Sequence, residues 1–299
     1  MQTDGMGTVR MRRYAWIVKL YIATGVCGCV NQVTQQSTLH LRPNATLDEV
    51  LGAFSFAFEL QSSQICNNPA DRALVDAVKN RLVAALQQTD EYAAIARDTQ
   101  WDIQIVVDDD PNAAAFPGGG IIVNTGLLDQ YARWEEGYLA VALSHELMHV
   151  VKGHLAQRLR KDKALFDEVT KGVDLEHMSS ATALRILVEL GIGELTDVVP
   201  FVKDQELEAD SEGLALMALA GYEPSLAPDF WNKLAHASAQ QSGFSLTHPT
   251  TPDRIAMLEL QLQTKYKLAG VAPSNRHCDR CERPTRARKP VLIEAAVAP

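Results

Sequence analysis

Apolar residues recur at three- and four-residue steps from Leu47 to Leu60 and again from Asp71 to Ala96, a spacing that lays one stripe along a helix. Cys66-Asn67-Asn68-Pro69 separates the two stretches, and its proline suits the first turn of the second helix. The period then changes. Trp101 to Val107 alternates and is rich in β-branched residues, and Asp108-Asp109-Asp110-Pro111-Asn112 breaks it, so a short strand enters a turn. A second strand is expected over Phe116-Pro117-Gly118-Gly119-Gly120-Ile121-Ile122-Val123-Asn124, after which Thr125-Gly126-Leu127-Leu128 leads into helix. From Trp134 to about Lys161 helical spacing persists, which predicts one long buried helix of about seven turns. Ser179 to Val199 is apolar-rich but carries Arg185, Glu189, Glu194 and Asp197, so it does not have the character of a membrane span. Lys203 to Ala220 predicts another helix, stopped by Gly221 and then Pro224.

The glycine-led strand suggests an edge. A glycine run at the head of a β-branched segment lets another backbone approach closely, and a proline there favours the rim of a sheet over its centre. Gly118, Gly119, Gly120, Ile121 and Ile122 are therefore expected to accept an extended peptide by strand addition. The alternative for the same residues is a loop glycine cluster that binds nothing.

Composition adds limits. The chain has 299 residues, 46% hydrophobic and 22% charged, enough to bury a substantial core. Its 28 Lys+Arg against 37 Asp+Glu give −9. Residues 1–28 hold Arg10, Arg12, Arg13 and Lys19 against Asp4, so a chain starting at Cys29 has 24 against 36, or −12. That balance argues against a nucleic-acid binder.

The N-terminus has the order of an export signal, a basic stretch at Arg10-Met11-Arg12-Arg13 followed by a mostly apolar run from Tyr14 to Val26. Thirteen residues are too short to span a bilayer and suit a signal core. Val26-Cys27-Gly28-Cys29 resembles a bacterial lipobox, which makes Cys29 the candidate lipidation site. Lys19 departs from that pattern, and a plain secreted protein or an uncleaved tail is the alternative. The expected organisation is a signal over residues 1–28, a polar tether over 29–44, a folded domain over 45–270 and a mobile basic tail over 271–299. Apart from Cys27 and Cys29, Cys66, Cys278 and Cys281 remain, as disulfide partners, free thiols or, with His277, half of a metal site.

The chemistry lies in the long helix. His145-Glu146-Leu147-Met148-His149 puts two histidines four residues apart, so both imidazoles can reach one ion while Glu146 leans to its side. With eight histidines in the chain, the pattern arises by chance on the order of 0.01 times. His154, nine residues from His145, falls on the opposite face of an unbroken helix and is expected to be surface or structural. A third ligand is offered by Glu206-Leu207-Glu208-Ala209-Asp210. Glu206 can bind metal while Asp210, on the same face, accepts the spare N–H of a ligand imidazole; Glu208 points elsewhere. A solvated acidic helix start is the alternative for that stretch alone.

Together with the Phe116 to Leu128 strand and His248-Pro249 followed by Arg254, these motifs resemble peptidase family M48, and within it the soluble, exported branch. The resemblance covers roughly residues 45 to 265. It implies a mainly helical α+β zincin (gluzincin) domain with a small edge-exposed sheet, one Zn(2+) per chain on His145, His149 and Glu206, and Glu146 as general base. Asp210 would support a ligand from outside the metal. His248 would lie near the zinc, blocking the site or facing the oxyanion; it also suits the capping turn before the helix that carries Arg254. The implied activity is endoproteolysis of unfolded or misassembled envelope proteins, on the periplasmic side of a bacterial membrane. The rival is a metal-containing assembly or chaperone-like factor with little turnover.

Overall fold

The protein is described by a computed structural model covering residues 45–160, 163–174, 178–189, 203–237, 248 and 252–266. Cys29, the signal, the tether, the basic tail and Cys278/Cys281 lie outside the described residues. Helix α1 (Leu47–Ser62) opens on a reciprocal cap, in which the Thr46 hydroxyl accepts the Glu49 N–H and the Glu49 carboxylate accepts the Thr46 N–H. Helix α2 (Pro69–Leu86) has Asn68 as its cap and Pro69 in its first turn. The stripe to Ala96 is not one helix, because α3 (Ala93–Asp98) is separate. Between them the Thr89 hydroxyl donates to the Leu86 carbonyl and accepts the Tyr92 N–H, a local alternative to the helical ladder.

Strands β1 (Asp102–Val106), β2 (Ala113–Ala115) and β3 (Gly120–Asn124) form a mixed sheet in the order β1-β3-β2. β1 runs parallel to β3, with Asp102 opposite Gly120, and β2 runs antiparallel to it, with Ala113 opposite Val123. The glycine-led strand is therefore central and not an edge: both its sides are paired and all five residues are buried. Gly120, Ile121 and Ile122 lie between β1 and β2 and not on a rim open to a substrate, and Gly118 and Gly119 sit in the β2–β3 turn with φ of 90° and 99°. An uninterrupted apolar run is what a strand covered on both faces requires. The exposed rim beside it belongs to β2, whose three alanines carry little strand signal.

Short helical turns at Thr125–Leu127 and Leu128–Ala132 lead into α4 (Glu136–Val151), the buried axis of the domain. It packs against β2, α2, α8 (Lys203–Leu219) and α9 (Leu226–Ala237), and α8 in turn carries α10 (Pro252–Thr264). Gly213 sets the approach of α8 to α4, since a Cβ there would stand 3.2 Å from His145 N and 3.3 Å from its Cα. The long helix predicted to Lys161 breaks at Gly153 (φ 64°), and α5 (His154–Leu159) restarts in a new direction. Helices α6 (Lys163–Val169) and α7 (Ser180–Glu189) pack on α1 in a second, smaller core of Leu51, Phe166, Val169, Ala183 and Ile186. Among the described residues no helix is long and apolar enough to cross a membrane.

Candidate metal centre

Successive turns of α4 bring His145 and His149 to the same side, and the close packing at Gly213 presses α8 against them so that Glu206 faces both. His145 Nε2 lies 2.9 Å from His149 Nε2 and 3.6 Å from Glu206 Oε2, and His149 Nε2 lies 3.4 Å from Glu206 Oε1. A fourth donor comes from beyond α8: His248 Nδ1 is 3.2 Å from His145 Nε2 and 3.0 Å from Glu206 Oε1. All four side chains are buried. Zinc bonds of about 2.0–2.1 Å to nitrogen and oxygen imply separations of about 3.3–3.4 Å along the edges of a ligand tetrahedron. The observed 2.9–3.6 Å brackets that value, and an N,N,O set with one further nitrogen is chemically suited to zinc.

Two groups hold this arrangement from behind. Asp210 Oδ1 lies 3.0 Å from His145 Nδ1, one turn along α8 from Glu206. Arg254, from the first turn of α10, donates from Nε to Asp210 Oδ2 at 2.6 Å and from Nη2 to Oδ1 at 2.8 Å, while Nη1 reaches Glu206 Oε2 at 2.6 Å. The guanidinium also stacks over Trp231, 4.3 Å from the ring centre. Burial alone would raise the Asp210 carboxyl, but Arg254 outweighs it and holds it low. For Glu206 burial is likewise overcome, by His248, Arg254 and His145, and the carboxyl falls well below its usual range. Burial, reinforced by His145, keeps His149 well below the ordinary imidazole range, hence neutral, the form that ligates metal. His248 goes the other way: burial would lower it, but the Glu206 and Glu146 carboxylates raise it.

Glu146 is fully buried beside this cluster, with Oε1 3.3 Å from His248 Nε2 and, among the described residues, no side-chain hydrogen bond to either oxygen. Burial lifts its carboxyl above the usual range, against the pull of His248 and His145. The Ala115 backbone also faces its carboxylate and works to lower it, so the end of β2 lies at the site. Since Phe116 N bonds Gly120 O and Asn124 N bonds Asn112 O, the alternation along β2 turns Ala113 and Ala115 away from β3. Ala113 is buried and Ala115 half-buried. Past Ala115 a cavity of about 200 Å³ opens between Phe116, Ile95, Val150, Ala156 and His149.

Two residues take places that the sequence does not assign. Arg254 enters the sequence reading as part of the motif after His248-Pro249 and of a helix start, with no role of its own, yet it locks both acidic residues. His154 is not on the far face: the break at Gly153 folds it back, fully buried, with Nδ1 2.9 Å from His149 Nδ1. Its Nε2 lies 3.1 Å from Glu208 Oε2, while Glu208 itself is half-exposed and stands outside the donor cluster, as its place in the sequence indicates.

The chain resembles the Schizosaccharomyces pombe mitochondrial metalloendopeptidase OMA1, at 31% identity over 54% of this chain and 47% of that one. It is 26% identical to a putative beta-barrel assembly-enhancing protease of Vibrio cholerae, over 70% of this chain and 43% of the relative. With the Escherichia coli beta-barrel assembly-enhancing protease the identity is 25%, over 65% and 39%. The chain thus spans less than half the length of these curated relatives. The model of Peptidase family M48 matches residues 73–261, a segment that contains all four donors, Glu146, Asp210 and Arg254. With that match over well more than half of the sequence, and the buried histidine–glutamate site at its centre, the chain belongs to peptidase family M48.

Proposed function

We propose that this protein is a zinc endopeptidase that cuts internal bonds of unfolded or misassembled proteins, with His145, His149 and Glu206 holding the metal. One observation carries the reading: donors from α4 and α8 converge within bonding reach of a single ion, with the buried carboxylate of Glu146 beside them. When bound, zinc supplies Lewis acidity toward water and the scissile carbonyl. Glu146 takes the proton of the attacking water and passes it to the leaving amine; its upward-shifted carboxyl suits a group that must both accept and return a proton. Asp210 and Arg254 keep the His145 ring and the Glu206 carboxylate in place. The substrate lies extended along β2 at Ala115, and the adjoining cavity, lined by Phe116, Ile95 and Val150 but also by Asp48, Glu49 and Lys152, takes one of its side chains. Backbone pairing tolerates many sequences, which suits clients without fixed structure.

The likeness to beta-barrel assembly-enhancing proteases supports the exported branch of the family and an envelope setting. In that reading Cys29 carries the lipid and the domain faces the periplasm. The decisive comparison is casein cleavage by the full chain and by Glu146→Gln at equal zinc occupancy. Wild type should exceed the variant by at least about 100-fold; equal rates would refute the peptidase assignment. A second reading, a binding or assembly factor with little turnover, is favoured by His248 Nδ1, which stands among the donors and closes the position a water would need.

A further inference from the structure

We propose that His154 and Glu208 are positioning residues for His149, setting its tautomer and ring orientation through a hydrogen-bonded chain that runs from the metal site to the surface. The inference rests on the reading that His149 ligates through Nε2, the nitrogen that faces His145 and Glu206. A ligating Nε2 must present a lone pair, so the proton of the neutral ring sits on Nδ1. That N–H points at His154 Nδ1, 2.9 Å away, which must then accept. His154 in turn carries its proton on Nε2 and donates it to Glu208 Oε2 at 3.1 Å. Glu208 is anchored on its other oxygen by Lys152 Nζ at 3.0 Å. Only one arrangement of protons on the two rings satisfies both the metal and this chain.

The two ligand histidines are thus supported differently. His145 leans directly on a buried carboxylate that Arg254 immobilises. His149 reaches a carboxylate only through a second imidazole, and that carboxylate is 47% exposed. The turn at Gly153 makes this possible, because it interrupts the helical path of α4 so that His154, five residues on, meets the ring of His149.

The test is zinc affinity of the full chain, measured by competition with a chromogenic chelator, with metal-free melting as the control for folding. His154→Phe fills the same space without an acceptor and should weaken zinc binding by about 10- to 100-fold. His154→Asn, which keeps an acceptor near the Nδ1 position, should recover most of that loss. Glu208→Leu, on a half-exposed residue that tolerates change, should weaken binding in the same direction, and Glu208→Gln should stay near wild type. Long-range 15N–1H correlations of the zinc-loaded protein should show His149 protonated on Nδ1 and His154 on Nε2. Unchanged affinity in both His154→Phe and Glu208→Leu, or a His154 proton on Nδ1, would overturn the positioning role while leaving the metal site intact. A wild type that binds no zinc would overturn both.

Discussion

Arg254→Met offers the sharpest test of how the centre is held together. The substitution keeps most of the volume of a side chain that is 1% exposed and removes three charge-assisted contacts of 2.6, 2.8 and 2.6 Å to two buried carboxylates. Asp210 and Glu206, four residues apart on α8, would then face each other inside the protein with no guanidinium between them. Breaking a buried pair by deleting one partner costs about 3–5 kcal/mol, because the remaining charge stays desolvated. The metal-free full chain, unfolded in urea and followed by circular dichroism, should lose stability of that order with little change in slope. Lys203→Ala, which removes an exposed ion pair with Asp253 at the start of α8, should leave the midpoint where it is. The pH dependence has a definite sign. In the wild type Asp210 and Glu206 are held low, so their contribution is full above the ordinary carboxylate range and is lost as pH falls through the lowered values. Without Arg254 the burial of Asp210 raises it, and protonation relieves the variant. The gap between the two proteins should narrow on acidification. A loss under about 1 kcal/mol at neutral pH, or a gap that widens in acid, would refute the assignment of Arg254 as the clamp.

Other perturbations have expected outcomes of their own. His248→Ala should raise casein turnover if that histidine closes the site, whereas a fall in kcat with unchanged KM would assign it to the oxyanion and dismiss gating. Gly213→Val should push α8 off His145, because even a Cβ there meets the backbone at 3.2 Å, and zinc affinity should fall with the melting temperature; unchanged affinity would show that the helix spacing does not set the site. Labelled palmitate should enter the wild type in a bacterial host and not Cys29→Ala, and equal labelling would reject Cys29 as the anchor.

The parts of this site legible from sequence are those that local periodicity controls. Two histidines one turn apart, and an acid with a second acid one turn further on, keep their mutual geometry in any helix. What periodicity does not record is where a helix bends or which strand is covered. Gly153 was one glycine in an apolar helical pattern, and its positive φ moved His154 from the far face to within reach of His149. The strand from Gly120 to Asn124 reads as an edge because of its glycines and proline, yet it is paired on both sides, and its apolar run is what a strand covered on both faces demands. β2, the true rim, has only alanines to announce it. Arg254 lies 44 residues from Asp210 in the chain, a separation that no local pattern bridges; its only sequence signal was its place after His248-Pro249.

The most direct measurement is diffraction from zinc-loaded crystals of the full chain at the zinc absorption edge. A single anomalous peak about 2.0–2.1 Å from His145 Nε2, His149 Nε2 and a Glu206 oxygen is the expected result. A map with no peak among those three residues, in protein saturated with zinc, would contradict it.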